Sequence, residues 1–306
     1  MILVWGLSRE GPTAAVRVAL DEASAPVYFL DQRRVLETGV ELSVDQEIDA
    51  CIRLGEERLD LSTVTAAYLR PYEMVRLPVI ARAGASSAEW AHAHQAQDAL
   101  WAWAELTQAL VLNRPSAMAS NNSKPYQSAR IRAHGFKSPD TLITTDRRAA
   151  FEFWESHDEV IYKSISGIRS VVSRLSREHV DRFNDLAACP TQFQEYVRGK
   201  DFRVHVVGEE AFAAEIDTTA DDYRYSERQG AAVEIRSCTL ERDVIDRCIA
   251  LAAGLNLPLA GVDLRRSREG EWYCFEVNPS PAFTYYQSQT GQRIDRAIAR
   301  LLCASR

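Results

Sequence analysis

Residues 261–281 read GVDLRRSREGEWYCFEVNPSP, and this stretch decides the fold. Two strand-like runs flank a short polar turn. In the second run Trp272, Cys274, Glu276 and Asn278 alternate onto one face, and Tyr273, Phe275 and Val277 onto the other. A hairpin symmetric about Glu269 and Gly270 sets Ser267 against Trp272 and Asp263 against Glu276. Directly opposed side chains in an antiparallel pair lie about 5 Å apart at Cβ, where like charges repel. The apolar neighbours argue for burial. Two carboxylates and the amide oxygen of Asn278 converging on one spot make sense if a hard divalent cation neutralises them. Mg²⁺ fits, since it takes oxygen ligands, usually one or two carboxylates plus substrate phosphates. The other reading is a surface hairpin whose acids are solvated.

Around this hairpin the chain runs to 306 residues, which suits two or three packed subdomains rather than one small core. With 46% apolar and 26% charged residues it has an ordinary globular balance. A net charge of −7 gives no basic footprint for nucleic acid or an anionic membrane. Cys51, Cys189, Cys238, Cys248, Cys274 and Cys303 show no metal-ligand spacing and read as buried free thiols of a reducing compartment. The start, MILVWGLSREG, lacks the charged n-region and apolar length of a signal peptide. No run approaches the roughly 20 apolar residues of a membrane helix. The expectation is a cytoplasmic protein.

The opening alternates strand, helix and strand over 2–5, 12–23 and 27–30, which predicts a parallel α/β unit. Gly6 and Gly11 spell no dinucleotide or Walker motif. A strand is expected at 64–69, stopped by Pro71. A long helix should follow over about 87–112, with Trp90, Trp101 and Trp103 in core or inter-domain packing. The polar loop 113–124 is the best boundary. A helix at 125–134 has Pro125 at its start and Gly135 past its end, the usual asymmetry. Further strands are expected at 141–144, 160–163, 191–197 and 203–207, and helices at 240–253 and 293–303.

Several residues carry chemistry beside a plainer reading. Lys124 stands at a helix start, where the dipole disfavours a cation but the free N–H groups favour an anion. A phosphate would reconcile the two, and an exposed lysine is the alternative. Lys163 ends an apolar strand before SISG, whose amides at Ser166 and Gly167 can cradle phosphate oxygens while the amine supplies charge. One glycine makes that signal weak alone, and Arg169 either supplements it or is solvated. In FQEYVRGKDFRV the strand end Gln194, Glu195, Tyr196, Val197 can offer main-chain groups to an adenine edge. Asp201 can then accept from ribose, and Arg203 points back to the cleft; a structural hairpin explains the same pattern. The polar segment 214–232, with Arg224 and Arg228, has the length of a functional lid. His205 lies on a strand and reads as packed.

In this order, the pieces NNSKPYQSARIRAHGFKSPDTLIT, YKSISG, QEYVRGKDFRV and GVD…FEVNPSP resemble the ATP-grasp superfamily, and most closely its RimK-like peptide and amino-acid ligases. The resemblance covers roughly 121–283. RPY at Arg70 and EID…DYR at 215–224 are similar to ligases that modify ribosomal peptides. It implies an α/β (α+β) ATP-grasp fold: an N-terminal parallel α/β pre-ATP-grasp domain at 1–115, a central subdomain at 116–190 and a C-terminal one at 191–306. It further implies that Lys124 and Lys163 contact nucleotide phosphates or adenine, that Glu195 and Val197 hold adenine through main-chain atoms, and that Asp201 binds ribose. Asp263, Glu276 and Asn278 would hold one or two Mg²⁺ ions. Arg203 and Arg224 would stabilise the transferring phosphoryl group. Two departures stand out: SISGIRS where glycine-richer loops are usual, and Ala282 where Gly is frequent.

The implied activity is an ATP-dependent carboxylate–amine ligase working through an acyl-phosphate. Its substrates would be an amino acid, a peptide or a precursor peptide. A small-molecule kinase and a non-catalytic nucleotide-binding module are the alternatives. No nucleic-acid or membrane partner is expected, and RimK-like ligases are often homo-oligomers. No Ser/His/Asp or Cys/His set competes.

Overall fold

The computed structural model describes residues 1–45, 48–164, 172–218 and 232–305. The first 112 residues build a parallel sheet in the order Val27–Asp31, Ile2–Gly6, Ala66–Arg70, Leu110–Leu112. Its central strands are buried on both faces, as parallel strands require, which is why ILVWG and AAYLR carry almost no polar residues. Helix Gly11–Glu22 makes the first crossover; Glu10 caps it and Pro12 sits in its first turn. The expected 87–112 helix is instead Ala88–Leu106 followed by the edge strand Leu110–Leu112. Trp103 is buried, and Trp101 packs edge-on against Trp5 at 5.1 Å.

A three-stranded meander, Thr38–Val44, Ile48–Leu54 and Glu57–Asp60, had no counterpart in the expectation. Its middle strand buries Ala50, Ile52 and Leu54 in one core with the first sheet. The 113–124 segment is not a plain loop either: it turns helically at Pro115–Met118 and Ala119–Asn122.

A small antiparallel sheet follows, ordered Ser173–Arg174, Val160–Ser164, Thr191–Glu195, Thr141–Thr144. A five-stranded antiparallel sheet completes the chain, ordered Val233–Ser237, Glu210–Thr218, Gly199–Val207, Leu259–Ser267, Trp272–Asn278. The Glu210–Thr218 strand takes in the first residues of the 214–232 segment read as a polar lid. One face of this sheet packs on helices Lys124–Ala133 and Arg242–Gly254 through Val204, Val262, Cys248, Leu251 and Cys274. Its far end joins the first sheet, where Val207, Leu259 and Phe283 share a core with Ile2, Val4 and helix Ile294–Ala304.

The cysteines are free, but only Cys51, Cys248 and Cys274 are buried; Cys189 is exposed. Burial pushes the Cys248 thiol up to about 12. Among the described residues no helix is long and apolar enough to cross a membrane.

Candidate active site

The sheet register lines up the chemistry. Across three adjacent strands Arg203 pairs with Asp263 and Asp263 with Glu276, so all three lie in one row. The predicted opposition of Asp263 and Glu276 therefore holds. Cations offset the repulsion expected of such a pair. Arg203 Nη1 lies 2.6 Å from Asp263 Oδ1, and Lys124 Nζ lies 2.8 Å from Glu276 Oε1 and 2.9 Å from Asn121 Oδ1. Arg203 is itself buried, its guanidinium lying over the backbone of Gly261, and Tyr286 covers it with a centroid distance of 5.7 Å.

The other predicted pairing fails. Trp272 faces Arg266, not Ser267, because a bulge between Asp263 and Leu264 leaves Phe275 as an extra residue. A bulge of this kind sets two residues against one and re-aims the strand. The simple alternation is overturned with it. Phe275 and Glu276 both face the cleft, whereas Val277 joins Trp272 and Cys274 in the core.

Two residues along the same strands lies a second row. Arg265 grips Asp201 through both nitrogen–oxygen contacts, 2.6 and 2.8 Å, and donates to the Val197 carbonyl at 2.8 Å. Burial pulls the Arg265 pKa down, but the hydrogen bonds and charge of Asp201 lift it above its ordinary value. Arg265 escaped the sequence reading, which treated Asp201 only as a ribose acceptor. In the 194–197 segment, Glu195 N donates to Asp140 O at 2.9 Å and Tyr196 N to Glu159 O at 2.8 Å. Among the described residues, the amide of this segment left without a main-chain acceptor is that of Val197.

One cleft is lined by Lys163, Gln194, Glu195, Tyr196, Val197, Asp201, Asp263 and Glu276, with Ile161 and Phe275 as its apolar surfaces. Lys124 joins through Glu276. Asn278 sits one step further, its Oδ1 accepting from Ser280 N at 2.9 Å. Helix Lys124–Ala133 is fixed by Gln127, whose buried amide bonds Val277 N and O at 3.1 and 2.8 Å. Gln127 was also missed; its spacing of three from Lys124, which places both on one helix face, was the available signal. Ser166, Gly167 and Arg224 lie outside the described residues, as do Arg169 and Arg228.

The donor set suits the expected cation. Asp263 and Glu276 face each other on adjacent strands and both line the cleft, and Asn278 follows Glu276 by two residues; all three offer oxygens of the hard type that Mg²⁺ takes.

The fold is that of the ATP-grasp ligases. A RiPP-associated ATP-grasp ligase from Chryseobacterium gregarium, solved with ADP and a leader and core peptide, superposes with TM-score 0.84 at 22% identity. That match covers 100% of this chain and 97% of the other. The macrocyclase MdnC of Microcystis aeruginosa MRC, bound with precursor peptide MdnA, gives TM-score 0.83 at 20% identity over 100% of both chains. The RimK-like ATP-grasp domain matches residues 124–302, and the chain belongs to that family. The tetrahydromethanopterin:alpha-L-glutamate ligase of Methanocaldococcus jannaschii is 23% identical over 191 residues, which are 56% of this chain and 63% of that protein.

Proposed function

We propose that the protein is an ATP- and Mg²⁺-dependent carboxylate–amine ligase acting on a peptide. The observation that carries this reading is the Arg203–Asp263–Glu276 row, whose two carboxylates line one cleft with Lys163 and the 194–197 segment and whose buried Arg203 is paired to Asp263. Glu195 O and Val197 N would meet the adenine edge, and Asp201, steadied by Arg265, the ribose. Lys163 and Lys124 would neutralise phosphate charge, with Ser166 and Gly167 as further phosphate contacts. Asp263, Glu276 and Asn278 would hold Mg²⁺, which supplies charge neutralisation on the phosphates when bound. Arg203, paired with Asp263, and Arg224 would stabilise charge on the transferring phosphoryl group.

A substrate carboxylate would attack the γ-phosphate, giving an acyl-phosphate and ADP; an amine then displaces inorganic phosphate and forms the amide. The peptide substrate is supported by the leader, core and precursor peptides bound to the two structural relatives. The reading keeps the division at 1–115, 116–190 and 191–306, and a cytoplasmic protein able to form homo-oligomers.

The test is incubation with Mg-ATP and candidate precursor peptides, following ADP, phosphate and peptide mass. Loss of one water per ADP and phosphate released is the expected result. A phosphorylated product without free phosphate would show a kinase instead, and tight Mg-ATP binding with no turnover over a broad screen would show a binding module.

A further inference from the structure

Arg70 ends one of the two central strands of the first sheet, far from the hairpin in sequence, yet it grips the loop that follows Asn278. Its Nη1 donates to Ser280 Oγ at 2.8 Å and to the Pro281 carbonyl at 3.2 Å. Its other edge bonds Glu10 Oε1 through Nη2 at 2.9 Å and Nε at 3.2 Å. Glu10 is in turn anchored, accepting from Thr13 N and Thr13 Oγ1 at 2.8 Å each. The Arg70 side chain is only 12% exposed. A planar fork with both edges bonded has one available orientation, which lysine cannot copy.

Ser280 is the next link. Its N–H donates to Asn278 Oδ1, which selects one of the two amide orientations of that side chain, since the flipped amide would face a donor with a donor. The same oxygen keeps a second lone pair. We propose that Arg70 is a positioning residue for the metal end of the cleft: through Ser280 it presents the Asn278 carbonyl oxygen to the cation. Arg70 is absent from the cleft lining, so this influence passes through the loop. The inference rests on the reading of Asp263, Glu276 and Asn278 as the Mg²⁺ ligands. Outer partners of metal ligands typically control about 10–100-fold in metal affinity.

Mn²⁺ titration of the ADP complex, read by electron paramagnetic resonance, tests it without turnover. Arg70→Gln and Ser280→Ala should each weaken Mn²⁺ about 10-fold. The double variant should be no weaker than Arg70→Gln alone, as expected of one chain of contacts. Ser280→Ala leaves the Arg70–Glu10 pair whole, so it decides the matter even if Arg70→Gln fails to fold. Unchanged Mn²⁺ affinity in Ser280→Ala overturns the inference. Glu276→Gln is the control. If it abolishes Mn²⁺ binding while Ser280→Ala does nothing, only the role of Arg70 falls. If it too leaves binding intact, the metal reading falls, and this inference with it.

Discussion

A side chain at position 261 would occupy the space of Arg203: a Cβ built there lies 1.9 Å from Arg203 Nη2 and 2.4 Å from Cζ. The glycine that opens the Gly261–Pro281 hairpin is therefore the seat of the guanidinium that Asp263 holds. Gly261→Ala should force Arg203 out, costing about 1–3 kcal/mol as an overpacked core site. Loss of an aimed electrostatic group should lower turnover about 100-fold or more. Urea denaturation and ADP release check both numbers; wild-type turnover would mean Arg203 is not needed where it sits.

The Asp201–Arg265 pair is nearly buried, with side chains 14% and 11% exposed. Removing one partner of such a pair strands the other, at about 3–5 kcal/mol. Arg265→Leu should destabilise by that amount and raise the KM for ATP, since Val197 O and Asp201 both lose their donor. Asp201→Asn combined with Arg265→Leu should recover part of the stability but not the KM. Denaturation and steady-state kinetics separate the two effects, and equal stability of the single and double variants would contradict the account.

His205 sits beside Arg203 at the bottom of the sheet, fully buried against Tyr286 at 4.8 Å, with neither ring nitrogen bonded among the described residues. Burial first, and the Arg203 charge second, hold its pKa well below the ordinary 6.5. The unfolded chain regains the ordinary value. Below that pH the unfolded state takes up a proton that the folded state refuses, so stability falls on acidification. The slope is at most about 1.4 kcal/mol per pH unit, and it vanishes above the ordinary pKa. His205→Leu should flatten the stability profile on the acid side only. Parallel profiles for both proteins would remove His205 from the explanation.

Asn113 joins the first sheet to the hairpin loop. Its buried amide donates to Leu259 O and Pro279 O at 2.7 and 2.5 Å and accepts from Leu259 N at 3.2 Å. Asn113→Ala leaves three buried main-chain groups unpaired and should cost about 3 kcal/mol, given 1–3 for a stranded group. Thermal denaturation measures it, and a shift within error would show that the loop relaxes around the gap.

The hairpin and the strands near 141–144, 160–163, 191–197 and 203–207 were legible because each is an apolar run with its own stop signal; their order in the sheets was not. Asp263 and Glu276 could be paired from the turn alone. The bulge could not, because Phe275 looks like any strand residue; its effect appears only when Val277 is found in the core. Arg265 and Gln127 hid for a related reason: their partners lie on elements 64 and 150 residues away. The three-stranded meander that begins at Thr38 was readable in the alternation around Gly55 but is short and polar at its edge. The 87–112 helix ran too far because LVL continues its apolar character across Thr107, where the chain turns extended.

Seen in terms of chain length, the bulge makes the 272–278 strand one residue longer than its in–out pattern requires. Without Phe275, Cys274, Glu276 and Val277 would alternate core, cleft, core as any strand does. The surplus residue is the one whose ring lies 5.2 Å from the Arg265 guanidinium on the cleft side. Shortening the strand by one residue would thus leave the carboxylate and the core where they are, and change only the apolar surface offered to the nucleotide.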